Sequence, residues 1–224
     1  MNTITQTQLL AELERVVPRD ALLDSEEAMR PFECDGLSVY RKLPLLVALP
    51  ENTAQVREIL KTCNRLGVPV VTRGAGTGLS GGALPLEEGL LLVLTRLNRI
   101  LAIDPVARTV RVEPGVRNLA VSEAAAPHGL YYAPDPSSQI ACSIGGNVAE
   151  NSGGVHCLKY GLTVHNVLEV RLLTIDGEEL VLGGPALDAP GYDLLALING
   201  SEGMLGVITE VLLRLLPLPE TAQV

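Results

Sequence analysis

The sequence has no tryptophan and a single phenylalanine, too few flat faces for base stacking or for a sugar platform. It has no C-x-x-C pair. Cys34, Cys63, Cys142 and Cys157 stand far apart, so reduced thiols are expected rather than a disulfide frame or a zinc site. It has no run of Lys or Arg, and 17 basic against 26 acidic residues leave a net charge of −9, which argues against a nucleic-acid partner. It has no long apolar run either. Leu90 to Leu94 is far too short for a membrane span, and the opening MNTITQTQLLAELERVV lacks the basic and apolar regions of a signal peptide, so a cytoplasmic location is expected. What the chain does have is apolar content: 47% of 224 residues can bury the core of one large domain or two small lobes.

It also has glycine in clusters. Arg73 to Gly82, RGAGTGLSGG, is half glycine and follows an apolar run, Val68 to Val71. Glycine has no Cβ, so main-chain amides in such a loop converge and approach an anion closely, and nests of this kind bind phosphate oxygens. Arg73 adds positive charge at the loop's start. Gly76, Gly78 and Gly81 spell G-x-G-x-x-G, yet the dinucleotide fingerprint of that spelling needs a helix after the third glycine and an acidic residue about twenty positions on. Gly82 and Pro85 oppose the helix, and Leu97 and Asn98 stand where the acid belongs. No Gly-Lys-Ser/Thr follows, which excludes a Walker A loop.

Along the chain, Thr7 to Val17 spaces Leu9, Leu10, Leu13, Val16 and Val17 on one helical face ended by Pro18. Leu45 to Ala48 and Val68 to Thr72 read as buried strands on either side of a helix, Thr53 to Leu66, with Gly67 as its C-cap. That makes a β-α-β unit with parallel pairing. Leu90 to Thr95 is a third strand. Beyond Ile103-Asp104-Pro105, read as a turn, Thr109 to Glu113 alternates as a strand with one wet face, and Asn118 to Ala126 is a helix. Tyr132 to Tyr160 lacks periodicity and reads as a long functional loop. Val167 to Leu173 and Glu179 to Leu182 form a hairpin across Asp176-Gly177, and Gly206 to Leu215 is a long strand. The expectation is an α+β fold of two lobes, one small and parallel, one mainly antiparallel with helices, and a ligand between them.

The second glycine-rich region, PDPSSQIACSIGGNVAENSGGVHCLKYG from Pro134 to Gly161, offers groups that both donate and accept, which suits a flat heterocycle such as an isoalloxazine. Asn199 to Gly206, NGSEGMLG, precedes the last strand and reads either as a turn or as a clasp on the far end of a dinucleotide. His128, His156 and His165 form no metal-ligand spacing, no G-x-S-x-G elbow exists, and no cysteine has by sequence a basic partner that would suggest a thiolate nucleophile. His156 has the best position of the three. Any reactive atom is then expected to belong to a cofactor rather than to a side chain.

RGAGTGLSGGALP, YYAPDPSSQIACSIGGNVAENSGGVHCLKYGLTVHNVL and GSEGMLGVITE resemble the flavin-subunit and D-lactate dehydrogenase family of glycolate oxidase type, within the FAD-binding PCMH-type superfamily. The resemblance runs from about Leu45 to Pro217. It implies FAD between two α+β lobes. It assigns Gly74, Ala75, Gly76, Thr77 and Gly78, with Ser80, Gly81, Gly82 and the flanking Arg73, to the pyrophosphate. Pro134, Asp135, Ser143, Gly146, Asn147, Asn151, Gly153 and Gly154 fall to the ribityl chain and flavin ring, and Val207 and Ile208 to the adenosine half. Some relatives attach FAD through a histidine after R-G-x-G; Thr77 stands there, so noncovalent FAD is expected.

The same resemblance divides the chain into a helical lead-in, 1–44, and a PCMH-type domain, 45–219, with lobes at about 45–100 and 101–219. Family members continue into a cap domain that binds the substrate, and none is expected within these residues. It implies the FAD-binding part of a D-2-hydroxy-acid dehydrogenase, acting on a small 2-hydroxy acid and completed by a second subunit that brings the cap. A non-catalytic assembly flavoprotein and an NADPH-dependent nucleotide-sugar reductase are the alternatives.

Overall fold

The computed structural model describes residues 4–186 and 191–220. The chain opens with α1 (Gln6–Leu13), started by a capping box: the Gln8 amide donates to Thr5 Oγ1 at 3.3 Å, and the Thr5 amide donates to Gln8 Oε1 at 2.9 Å. The helix stops four residues before the apolar spacing does. Val17 still packs in the core, carried there by a turn rather than by helix. A two-residue strand, β1 (Leu22–Leu23), and a single turn, α2 (Glu26–Met29), follow.

Then come β2 (Leu46–Ala48), α3 (Thr53–Leu66) and β3 (Val70–Arg73). Asn52 caps α3 by accepting from the Gln55 amide at 3.0 Å, and Gly67 ends it at φ 68°, a left-handed conformation glycine adopts without a Cβ clash. The next strand, β4 (Leu90–Val93), changes the expected pairing. The sheet order is β1-β2-β4-β3, so β2 and β3 run parallel but each bonds to β4, which lies between them; β1 closes the edge antiparallel. All four residues of β4 are buried. Side chains alternate faces along a strand, so Leu90 and Leu92 pack under α1 and α3 while Leu91 and Val93 pack against Val47 and Met29 on the other face.

The second lobe begins with β5 (Ile100–Asp104), a strand where a turn had been expected at its end, paired antiparallel with β6 (Thr109–Val112). After α4 (Asn118–Ala125) and a short β7 (Leu130–Tyr131), the stretch expected to be loop contains two helices, α5 (Ile144–Glu150) and α6 (Cys157–Tyr160). Next come the hairpin strands β8 (Val167–Leu173) and β9 (Glu179–Gly183), then α7 (Leu194–Ile198), β10 (Val207–Arg214) and β11 (Leu216–Pro217). The large sheet has the order β5-β6-β10-β8-β9 and is antiparallel throughout; β7 and β11 form a separate pair.

One face of this sheet is apolar. Val110, Val112, Val170, Val211 and Leu213 pack against Val121 of α4 and against Ile144 and Val148 of α5. The other face carries ions, with Arg111 Nη1 2.6 Å from Glu169 Oε1 and Arg171 Nε 3.6 Å from Glu210 Oε2. The lobes share a core, since Leu173 and Val207 belong to the cluster under α3. Arg57 of α3 also reaches the β8–β9 turn, donating to the Gly177 carbonyl at 3.0 Å and to Glu179 at 2.8 Å. Among the described residues no helix is long and apolar enough to cross a membrane.

Candidate functional site

Parallel strands need a long crossover, and here residues 74–89 connect β3 to β4 without a helix. The glycine loop occupies the start of that crossover, at the carboxyl end of β3. It faces the N-terminal half of α5 and the turn before β10 across a cleft of about 320 Å3 between the two lobes. Of the residues singled out by sequence, Gly74, Ala75, Gly76, Thr77, Gly78, Ser80 and Gly82 line it from the first loop, Ser143, Gly146 and Asn147 from α5, and Ile208 from β10. Among the described residues, no amide from Gly74 to Gly82 donates a main-chain hydrogen bond. Buried or half-buried amides are normally paired, so this run of free donors, held on an open cradle, fits an anionic group with several oxygens.

The two glycine-rich regions touch at Gly74. Ser143 caps α5 by accepting from the Gly146 amide, and its hydroxyl lies where a Cβ on Gly74 would sit. Only glycine at position 74 lets the cradle lie against the start of α5. The first amides of α5 are themselves taken, Ile144 by the Val116 carbonyl at 2.9 Å, Gly145 by the Pro114 carbonyl at 2.8 Å and Gly146 by the Ser143 hydroxyl.

Other singled-out residues stand outside the cleft wall. Arg73 is 7% exposed and turns back under its own loop: Nη1 donates to the Cys34 carbonyl at 2.6 Å, and the guanidinium sits 5.8 Å from the Phe32 ring centre. A Cβ on Gly76 would collide with it. Burial lowers the Arg73 pKa, and the negative charge of Asp35 partly restores it. The structure places Arg73 as a brace beneath the cradle. Gly81, at φ 78°, turns the loop away toward Leu84, whose amide donates to its carbonyl. Val207 packs in the core beneath α3.

In the second region, Pro134, Asp135, Asn151, Gly153 and Gly154 also sit behind the wall. The Pro134 carbonyl accepts from Asn118 Nδ2 at 3.0 Å, and the same amide group donates to Asn147 Oδ1 at 2.9 Å. Asn151 ends α5 at φ 52°, its Oδ1 accepting from the Val164 amide at 3.0 Å. Asp135 takes the His156 amide at 3.1 Å and sits 2.7 Å from His156 Nδ1, which holds the imidazole in place. Gly154 leaves no room for a Cβ beside Asp135, and a Cβ on Gly153 would stand 2.7 Å from Leu162 Cδ2. The four cysteines are free, and burial pushes the Cys63 thiol up to about 12.

Three acidic residues that sequence reasoning passed over, Asp35, Glu150 and Glu202, also line the cleft. They come from three separate segments, and no local pattern links them. Glu202 is brought to Glu150 by main-chain bonds, its amide donating to the Ala149 carbonyl at 2.8 Å and that of Gly200 to the Val148 carbonyl at 2.9 Å. Burial first, then Glu202 and Asp35, raise the Glu150 pKa, while Ser80 opposes the shift.

A family model described as an FAD binding domain matches residues 44–183. The chain belongs to this FAD-binding family. FAD is thus the cofactor of this chain. The chain is 66% identical over 221 residues to glycolate oxidase subunit GlcD of Escherichia coli (strain K12), a match covering 99% of this chain and 44% of GlcD. It is 35% identical over 216 residues to a D-lactate dehydrogenase of Anaerostipes hadrus, covering 96% of this chain and 45% of that protein. The chain therefore spans about half the length of these curated relatives. An alkyldihydroxyacetonephosphate synthase structure superposes with a TM-score of 0.85 at 23% identity, over 96% of this chain and 41% of the synthase, and that likeness concerns the fold of this FAD-binding family.

Proposed function

We propose that this chain is the FAD-binding part of a flavin-dependent D-2-hydroxy-acid dehydrogenase of the glycolate or D-lactate type. The observation that carries the reading is the 66% identity to GlcD over nearly the whole chain, together with a cleft whose cradle fits a dinucleotide diphosphate. When bound, FAD supplies the acceptor for a hydride from C2 of the hydroxy acid, which becomes a 2-oxo acid.

The chain's own residues bind and orient that cofactor. The amides from Gly74 to Gly82 hold the diphosphate, as amide nests hold anions. Ser143, Gly146 and Asn147 position the ring-bearing half, with Pro134, Asp135, Asn151, Gly153 and Gly154 supporting them from behind, and Val207 and Ile208 offer main chain to the adenosine half. Thr77 supplies no imidazole for a flavin link, so the cofactor is held noncovalently and leaves on acid precipitation of the protein. Residues 45–219 form the binding unit and 1–44 its lead-in.

Leu79 lines the cleft, Ile140 lies in the stretch before α5, and Val155 and Leu158 lie before and within α6; each exposes most of its apolar side chain, Leu158 to 98%. Exposed apolar residues of this kind mark a face that other protein covers. We place there the substrate-binding cap, brought by a second subunit, which orients the hydroxy acid and takes its hydroxyl proton. The four free thiols suit work in the cytoplasm.

The test is an absorption spectrum with and without added FAD, then glycolate or D-lactate with a dye acceptor. A flavin spectrum that the hydroxy acid bleaches only when the cap-bearing partner is present is the expected result. Bleaching by this chain alone would remove the partner from the proposal. No uptake of FAD would overturn it.

A further inference from the structure

The cleft wall opposite the glycine cradle is built the wrong way for a bound diphosphate. Glu150 Oε1 lies 3.6 Å from where a Cβ on Gly78 would sit and 3.4 Å from the same point on Gly82; Glu202 Oε2 lies 3.3 Å from that point on Gly82. Both carboxylates thus stand beside the glycine strip proposed to hold phosphate. Asp35 stands in the same wall, 7% exposed, with Oδ1 accepting from the Leu37 amide at 2.8 Å and Oδ2 buried without a partner. A diphosphate placed against three ionised carboxylates meets like charge at short range, which in a partly desolvated cleft costs far more than in water.

A proton resolves the conflict, and the geometry says where it goes. Asp35 has the buried guanidinium of Arg73 beside it to balance its charge. Glu150 has Glu202, Asp35 and the Ser80 hydroxyl facing it, and among the described residues no cation acts on it. Among the described residues no group of three His, Cys, Asp or Glu side chains is placed to hold a metal ion instead.

We propose that Glu150 is a cofactor-binding residue that works in its protonated form: FAD binding draws one proton onto Glu150, and its carboxylic acid donates a hydrogen bond to the diphosphate. The raised pKa of Glu150 in the free protein runs in the same direction, and a bound dianion pushes it further. This inference rests on the FAD reading above.

The test is calorimetric titration of the protein with FAD near neutral pH in two buffers of different ionisation enthalpy, with affinity followed across pH by flavin fluorescence. The expected result is uptake of close to one proton per FAD, and affinity that falls by up to about tenfold per pH unit above the free-protein pKa of Glu150. Glu150→Gln keeps a donor and carries no charge, so it binds FAD without proton uptake and with a flat pH profile. Glu202→Gln removes the charge that favours the proton and moves the fall in affinity to lower pH. Equal heats in both buffers with pH-independent affinity would overturn the proposal. So would a Glu150→Gln protein that binds FAD more weakly at every pH, since that is the mark of an ionised carboxylate accepting from a cofactor hydroxyl. Failure to bind FAD at any pH would overturn the functional reading as well; binding without proton uptake overturns only this one.

Discussion

The two glycine-rich regions look alike as text and differ as structure. In the first, residues 74–82 leave their main-chain amides unpaired, and although Gly74 and Gly76 pack against Ser143 and Arg73, two glycines have open space around them: a Cβ on Gly81 meets nothing within 4 Å, and one on Gly78 meets nothing closer than 3.6 Å. In the second, the glycines are filled against their neighbours. Gly145 faces Pro114, with Cβ to Cβ at 2.7 Å, Gly153 faces Leu162 and Gly154 faces Asp135, while Asn147 and Asn151 are occupied with Asn118, Ser152 and Val164. Glycine in one place clears space for a ligand and in the other clears space for the protein itself. Density of glycine alone does not distinguish the two, whereas the fate of the amides does.

Substitutions sharpen the contrast. Gly154→Ala forces a methyl into Asp135 and should cost about 3 kcal/mol of stability, seen as a lower denaturant midpoint; an unchanged midpoint would mean the second region is as loose as the first. Arg73→Ala removes the brace under the cradle and leaves the Cys34 carbonyl without its donor, for a loss of about 2 kcal/mol together with weakened FAD uptake. Gly78→Ala is the converse case. Its methyl finds room in the protein, so stability should stay within about 0.5 kcal/mol, yet it stands where the diphosphate approaches, and FAD affinity should fall about tenfold. If Gly78→Ala instead unfolds the protein as Gly154→Ala does, the first loop is structural too.

The smallest effect concerns Glu150 in the cofactor-free protein. Its folded pKa lies above the ordinary 4.5, so its contribution to stability is full below that value and is lost as pH rises through the raised one. Glu150→Gln should therefore stabilise the free protein at neutral and alkaline pH and not in acid, by less than about 1 kcal/mol because the side chain is largely solvated. Melting temperature against pH for the two proteins would show the curves diverging upward.

Much of this was legible in the residues. The apolar runs of β2, β3, β4 and β10, the spacing of α3 and the Gly67 cap state their own structure, because buried faces and cap chemistry are local. Strand order is not local. Nothing in Val70–Arg73 or Leu90–Val93 says that β4 slides between β2 and β3. Helix α5 hid behind Gly145 and Gly146, poor helix formers in its first turn, although Ser143 as N-cap and Ile144 with Val148 four apart were visible signals. Asp35, Glu150 and Glu202 carried no signal, since only the meeting of both lobes brings them to one wall.

The cradle's place between β3 and β4 constrains how a ligand enters and leaves. Its two ends are neighbouring strands, hydrogen-bonded along their length and buried in one core, so the near wall cannot swing outward without tearing a sheet. The opposite wall is hung differently, on the Gly200 and Glu202 amides where they meet the end of α5. Exchange of a bound molecule should then be set by the breathing of that thinner attachment, with the glycine cradle acting as a fixed anvil against which it opens and shuts.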